Sequence, residues 1–176
     1  LTTTTNAVAF SVLQNYIYRL VQRRLPGVKF RVIGDKAPHA VVALASETII
    51  ITGPQPDVRP YFESVKLSVA PLRYGAGIKG KINQSMGLGV PVVATSLAVE
   101  GMGLANQREI MIADNPEEFA EAVVELYNSE QLWKQISKLG LEKTRKLYSV
   151  ESAKDRLSCL FNNVKPMHSR ELKQSQ

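Results

Sequence analysis

The sequence predicts an α/β fold, a parallel sheet with helices on both faces, and three observations carry that reading. Short β-rich runs alternate with segments of helical period. Runs such as Ile49-Ile50-Ile51 are apolar at successive positions instead of alternating, as expected of strands covered on both sides. The 176 residues are 44% hydrophobic and 22% charged, enough for one core of ordinary size and too apolar for a disordered or fibrous chain. There is no internal repeat and no sign of a second domain.

The elements follow in order. The chain opens at Leu1 with a threonine run, as an excised or processed end would. Asn6 is placed to cap a helix whose apolar residues Phe10, Leu13, Ile17 and Leu20 recur at three- and four-residue steps. Arg19, Arg23 and Arg24 close it before Pro26-Gly27, putting cations at its negative end. Strands are expected at 28–33 (ending at Gly34), 48–52 (ending at Gly53), 67–70, 91–95 and 109–112. Helices are expected between them at 38–45, 57–64 and 78–87. The clearest start comes next, with Asn115 as cap, Pro116 in first position and Glu118 three residues on. Phe119, Val123, Leu126 and Tyr127 form that helix's stripe. Ser129 caps another helix carrying Leu132, Ile136 and Leu139, and 151–164 forms a last one. The domain is expected to span 1–165, with 166–176 a polar, disordered tail.

Lys and Arg number 22 against 16 Asp and Glu, a net charge of +6. The whole excess lies in residues 1–100, with 11 basic and 5 acidic groups; the remainder is balanced at 11 and 11. Such an excess favours an anionic ligand, although solvation alone would also account for it. Cys159 cannot form an internal disulfide and reads as a small helix residue. His39 and His168 stand far apart, so no metal site is expected. No apolar run nears the roughly 18 residues that span a bilayer, and no leader pattern is recognisable. A cytoplasmic protein is expected. The glycosylation triplet Asn83-Gln84-Ser85 falls in an expected helix and reads as chance.

The stretch from Ala70 to Lys81 is a glycine-rich loop joining a buried strand to a helix. In that geometry free backbone amides and the positive end of the helix converge on an anion, as in phosphate sites. Three glycines alone are also what a simple turn of the chain requires, but Arg73, Lys79 and Lys81 surround the same turn and have no evident packing purpose. The loop lacks Walker A spacing, and no dinucleotide fingerprint follows a first strand. A nucleophile elbow is missing too, which weakens a hydrolase reading. The aromatics are not interleaved with basic residues as a nucleic-acid platform requires, so no nucleic-acid partner is expected.

Pro71-Leu72-Arg73-Tyr74-Gly75-Ala76-Gly77-Ile78-Lys79-Gly80-Lys81, followed by Met86-Gly87-Leu88-Gly89-Val90-Pro91-Val92-Val93-Ala94-Thr95, resembles the donor-site core of GT-B glycosyltransferases of the family 4 type, the group 1 glycosyltransferases. The flanks fall in the family's order: 25–34, then Thr52-Gly53 before Asp57, then Val99-Glu100-Gly101-Met102. The likeness covers residues 6–164.

The resemblance implies the C-terminal, Rossmann-like lobe that binds a nucleotide-sugar donor, partnered by an N-terminal acceptor-binding lobe absent from this chain. It further implies a first strand and a basic glycine loop ahead of Asn6. By carry-over, the backbone of Gly75, Ala76, Gly77 and Ile78 faces the donor diphosphate or sugar, and Thr52, Gly53 and Pro54 lie near the base. The family carries two glutamates eight positions apart; here they are Ala76 and Gln84. Gln84 keeps an acceptor for a ribose hydroxyl, weaker by about 1 kcal/mol for the lost charge. Any role of the first carboxylate is either absent or passes to Lys79, Lys81 or Glu100. On a straight helix Lys79 and Lys81 would point about 200° apart, so one of them is expected to face the ligand.

Amides, a helix terminus and cations can stabilise a departing nucleoside diphosphate without a metal, and no cofactor is expected. The catalytic residue is not identified. The resemblance therefore implies a retaining glycosyltransferase whose isolated lobe is inactive. The alternative is a non-catalytic nucleotide-sugar or glycan-binding module, motivated by the missing carboxylates. A nucleotide-sugar epimerase fits the Gly-Ala-Gly arrangement less well. The basic first helix also suits an anionic membrane surface or a partner.

Overall fold

A computed structural model of the chain describes residues 13–35, 37–74 and 79–163. It opens with a π-helical stretch, Leu13–Tyr18, that runs into helix α1 (Arg19–Arg24). The Asn6 cap and Phe10 lie outside the described residues. The buried face is Ile17, Tyr18 and Val21, with Leu20 of the expected stripe half-buried against the same core. The wider π turn brings Tyr18 onto this face beside Ile17. It sets the Tyr18 hydroxyl 2.9 Å from the Val28 carbonyl and 3.0 Å from that of Thr48, where one proton is shared between two acceptors.

Strands β1 (Phe30–Ile33), β2 (Ile49–Thr52), β3 (Ser68–Ala70), β4 (Val92–Ala94) and β5 (Met111–Ile112) are all joined in parallel. They alternate with α2 (His39–Val42), α3 (Arg59–Glu63), α4 (Gly80–Gly87), a 3₁₀ turn (Leu97–Val99), α5 (Pro116–Asn128), α6 (Glu130–Tyr148) and α7 (Val150–Asn163). The α/β class and parallel pairing are as expected. The strands are shorter than their apolar runs and fall into two ladders, β1-β2 and β3-β4-β5. One core nevertheless spans both, packing Phe30, Val32 and Ile51 with Val69 and Val93.

Full enclosure holds for β4 alone. Val93 faces the core beneath α1 and α5, while Val92 and Ala94 face a second cluster with Ile82, Met86, Met102 and Ile110. Successive side chains of a strand point to opposite faces, so a run of apolar residues is what two cores demand. Strands β1 and β3 are half-buried throughout. In β1, Arg31 reaches out to donate to the Ser64 hydroxyl at 2.9 Å and stacks over the Tyr61 ring.

The C-terminal helices follow their sequence signals. Asn115 Oδ1 accepts the Glu118 amide at 2.8 Å, Pro116 opens α5, and Ser129 Oγ accepts the Leu132 amide at 3.2 Å to start α6. Phe119, Leu126 and Ile136 are fully buried, each worth about 1.5–3 kcal/mol of apolar burial. Helix α6 crosses α4 and braces the element that leads out of the glycine-rich loop.

Candidate functional site

The chain leaves β3 through a bend held at both of its main-chain groups. Pro71 is buried, the Leu72 amide donates to the Ala70 carbonyl at 2.9 Å, and the Leu72 carbonyl accepts the Thr95 hydroxyl at 2.7 Å. Arg73 and Tyr74 then emerge into solvent. Gly75, Ala76, Gly77 and Ile78, the centre of the expected site, lie outside the described residues. The chain is described again at Lys79, the cap position of α4, whose carbonyl accepts from the Ile82 and Asn83 amides.

Helix α4 starts at Gly80, two residues later than its apolar pattern predicts, and no side chain caps it. Lys79 thus precedes the helix, half-buried, while Lys81 is exposed in the first turn, so the 200° offset expected of a continuous helix does not govern the pair. Two lysines at a helix's positive end oppose its dipole, an arrangement that an anion would reverse in sign. Along α4, Ile82, Ser85 and Met86 turn to the core and Gln84 is exposed. The glycosylation triplet runs through this packed helix, with Ser85 buried on the Ser68 hydroxyl at 2.7 Å.

At the carboxyl end of β4 the chain enters the 3₁₀ turn and reaches Glu100, exposed, with Gly101 next at φ +75°. Asp114, beyond β5, accepts from both the amide and the hydroxyl of Ser96, at 2.8 and 2.9 Å. The ends of β3, β4 and β5 are therefore laced together, bringing the stem of the glycine-rich loop and the Glu100 turn onto one framework. Ligands of parallel α/β sheets bind at this end of the strands. The sequence reading missed Thr95 and Asp114. The partners of Thr95 and Asp114 lie 23 and 18 positions away, at Leu72 and Ser96, so no local pattern signals them.

The base-side residues stand at the carboxyl end of β2. The Thr52 hydroxyl donates to the Val32 carbonyl at 3.2 Å, and the Thr52 carbonyl accepts the Gly34 amide at 3.4 Å, so both groups are engaged in joining β1 to β2. Gly53 and Pro54 are exposed, and a Cβ placed on Gly53 would meet no atom within 4 Å. Main chain is open to a ligand there, and glycine is not required by the fold itself.

A different cleft, beside β5, is bordered by Glu118, Glu121 and Glu125, charges that would repel a diphosphate. Among the described residues no three His, Cys, Asp or Glu side chains gather as metal ligands, and no helix is long and apolar enough to cross a membrane. Cys159 is exposed on α7 and His39 is exposed on α2; His168 lies outside the described residues.

Comparison with known proteins places this framework among others. A family model described as glycosyl transferases group 1 matches residues 2–129. TarM from S. aureus, solved as a variant with fondaparinux, alpha-GlcNAc-glycerol and UDP, superposes with a TM-score of 0.75 at 20% identity, covering 92% of this chain and 34% of TarM. Anabaena HepE in complex with UDP-glucose gives 0.68 at 12% identity, covering 92% of this chain and 54% of HepE. The C-terminal domain of a glycosyl transferase group 1 family protein, LpcC from Francisella tularensis, gives 0.68 at 14%, covering 85% and 83%. The chain thus spans about a third to a half of the first two proteins and most of the isolated domain. No curated protein matches the chain.

Proposed function

The chain belongs to the group 1 glycosyltransferases and has the GT-B fold of their C-terminal lobe; from that premise we propose that it is the donor-binding half of an enzyme that moves a sugar from a nucleotide-sugar to an acceptor. The observation that carries the proposal is the pinned bend at Leu72, which leads into a glycine loop and out at an uncapped helix headed by Lys79 and Lys81. UDP in TarM and UDP-glucose in HepE, proteins of the same fold, support a nucleoside diphosphate as the recognised group.

In this reading the amides of Gly75, Ala76, Gly77 and Ile78 and the ammonium groups of Lys79 and Lys81 take the diphosphate and sugar. Gln84 accepts from the ribose, and Thr52, Gly53 and Pro54 border the base through main chain. Glu100 approaches the sugar. The departing diphosphate is stabilised by preorganised amides and cations without a metal. Configuration at the sugar is retained, by family likeness.

The N-terminal acceptor lobe, together with a first strand and its basic loop, belongs to the same enzyme outside residues 1–176, and the lobe alone does not transfer sugar. A strand between β1 and β3, which no ladder joins among the described residues, would merge the two ladders into one sheet. The enzyme works in the cytoplasm, and its basic first helix suits an anionic membrane surface or a partner.

Titration of this chain with UDP, GDP and ADP tests the donor site: binding of one in the micromolar to millimolar range is expected, and a folded chain that binds none overturns it. Sugar transfer by the intact protein, and its loss on Gly77→Asp, tests catalysis. A second reading, a binding module that does not catalyse, is favoured by Ala76 and Gln84 standing where the family has carboxylates; nucleotide binding without transfer by the intact protein would select it.

A further inference from the structure

We propose that Thr95 is a positioning residue for the donor, its hydroxyl holding the glycine-loop stem and the Glu100 turn at one fixed separation. The proposal rests on the donor-site reading above. Thr95 is 6% exposed at the end of β4. Its amide donates to the Ala70 carbonyl at 3.3 Å, its hydroxyl donates to the Leu72 carbonyl at 2.7 Å, and the same oxygen accepts the Ala98 amide at 3.3 Å. Leu72 is the last half-buried residue before the loop, and Ala98 lies in the 3₁₀ turn that ends at Glu100. One oxygen atom therefore joins the two segments that must close on a diphosphate-sugar from different strands. Neither segment has a second polar side chain performing this task among the hydrogen bonds of the described residues. Asp114 secures the far side of the same turn through Ser96, so a change at Thr95 moves the stem against a turn that stays anchored.

A residue that serves only the fold would alter stability and leave binding by the folded protein unchanged. Thr95→Val keeps the shape and loses both side-chain bonds; Thr95→Ser keeps the bonds and loses the methyl. UDP affinity of the chain is measured by calorimetry at a temperature where circular dichroism shows every variant folded, and the donor KM and kcat of the intact protein are measured beside it. Thr95→Val is expected to weaken UDP about tenfold and raise the donor KM by a similar factor, with Thr95→Ser restoring both. Should Thr95→Val not fold, Thr95→Ala takes its place. Wild-type binding of UDP with unchanged affinity in the folded hydroxyl-less variant overturns the inference and leaves the donor reading standing, as does equal weakening in Thr95→Ser. If the wild-type chain binds none of UDP, GDP or ADP, the donor reading fails and this inference fails with it.

Discussion

A Cβ on Gly140 would lie 2.9 Å from the carbonyl oxygen of Glu109, so the crossing of α6 over the chain entering β5 is set by the absence of a side chain. The Met86 terminal methyl would be 3.4 Å from the same point. The closer contact is with backbone, which cannot swing aside as the end of a side chain can.

Gly140→Ala is therefore expected to destabilise the protein. Overpacking costs about 1–3 kcal/mol, and the helix-propensity gain of about 1 kcal/mol offsets only part of it. At Gly87 the nearest atom would be the Thr144 methyl at 3.5 Å, ordinary contact, so Gly87→Ala should be neutral or slightly stabilising. Urea midpoints of the two variants decide the matter; equal shifts would contradict the close approach.

Ser85 is buried, its hydroxyl donating to the Val90 carbonyl at 3.0 Å, which leaves Ser68 as the donor in the 2.7 Å contact between the two serines. Ser85→Ala strips an acceptor from one partner and a donor from the other, at about 1–3 kcal/mol. Ser68→Ala added to it should cost less than Ser68→Ala alone. Strict additivity in a double-mutant cycle would show that the serines do not form one network.

Open space around Gly53 makes Gly53→Ala a clean probe of the base side. Thermal stability should stay within about 0.5 kcal/mol of wild type, while UDP affinity falls because the methyl occupies the approach to the main chain. Unchanged affinity would move the base away from β2.

Gln84→Glu restores a carboxylate on the exposed side of α4. A charge-assisted bond to a ribose hydroxyl should tighten UDP by about 1 kcal/mol, with no gain for the 2′,3′-dideoxy analogue. A like gain for both, or a gain for neither, contradicts the ribose contact.

Hydrogen bonding to Lys134, reinforced by its charge, holds the Glu130 carboxyl below its ordinary value of 4.5. The lowered value means that this stabilisation is fully present above pH 4.5 and is lost as pH falls through the folded-state value. Both groups are exposed, so the effect is small and screened by salt. Glu130→Gln should flatten the acid limb of the stability profile slightly at low ionic strength and leave neutral stability nearly unchanged. A steeper acid limb in the variant would contradict the sign.

Local signals were legible where the interaction itself is local. Asn115 with the Glu118 amide, Pro116 at the helix start and Ser129 with the Leu132 amide each span three residues or fewer, and each stands where the pattern indicates. Strand ends were less legible: an apolar run records burial, whereas a strand ends where its partner's ladder ends, so 109–112 reads as four residues and pairs as Met111–Ile112. The residues quoted for the donor core name the family, yet Thr95 reads there only as the end of a strand.

The sequence alone determined the class of fold, the capped C-terminal helices and the family, because these depend on periodicity, on contacts a few residues apart and on an unbroken motif. Tertiary structure alone decided that β4 separates two cores, that Gly140 must lack a side chain, and that Thr95 joins Leu72 to the turn of Glu100. These facts depend on atoms brought together from distant positions, and a hydrogen bond or a steric limit between them exists only once the chain has closed.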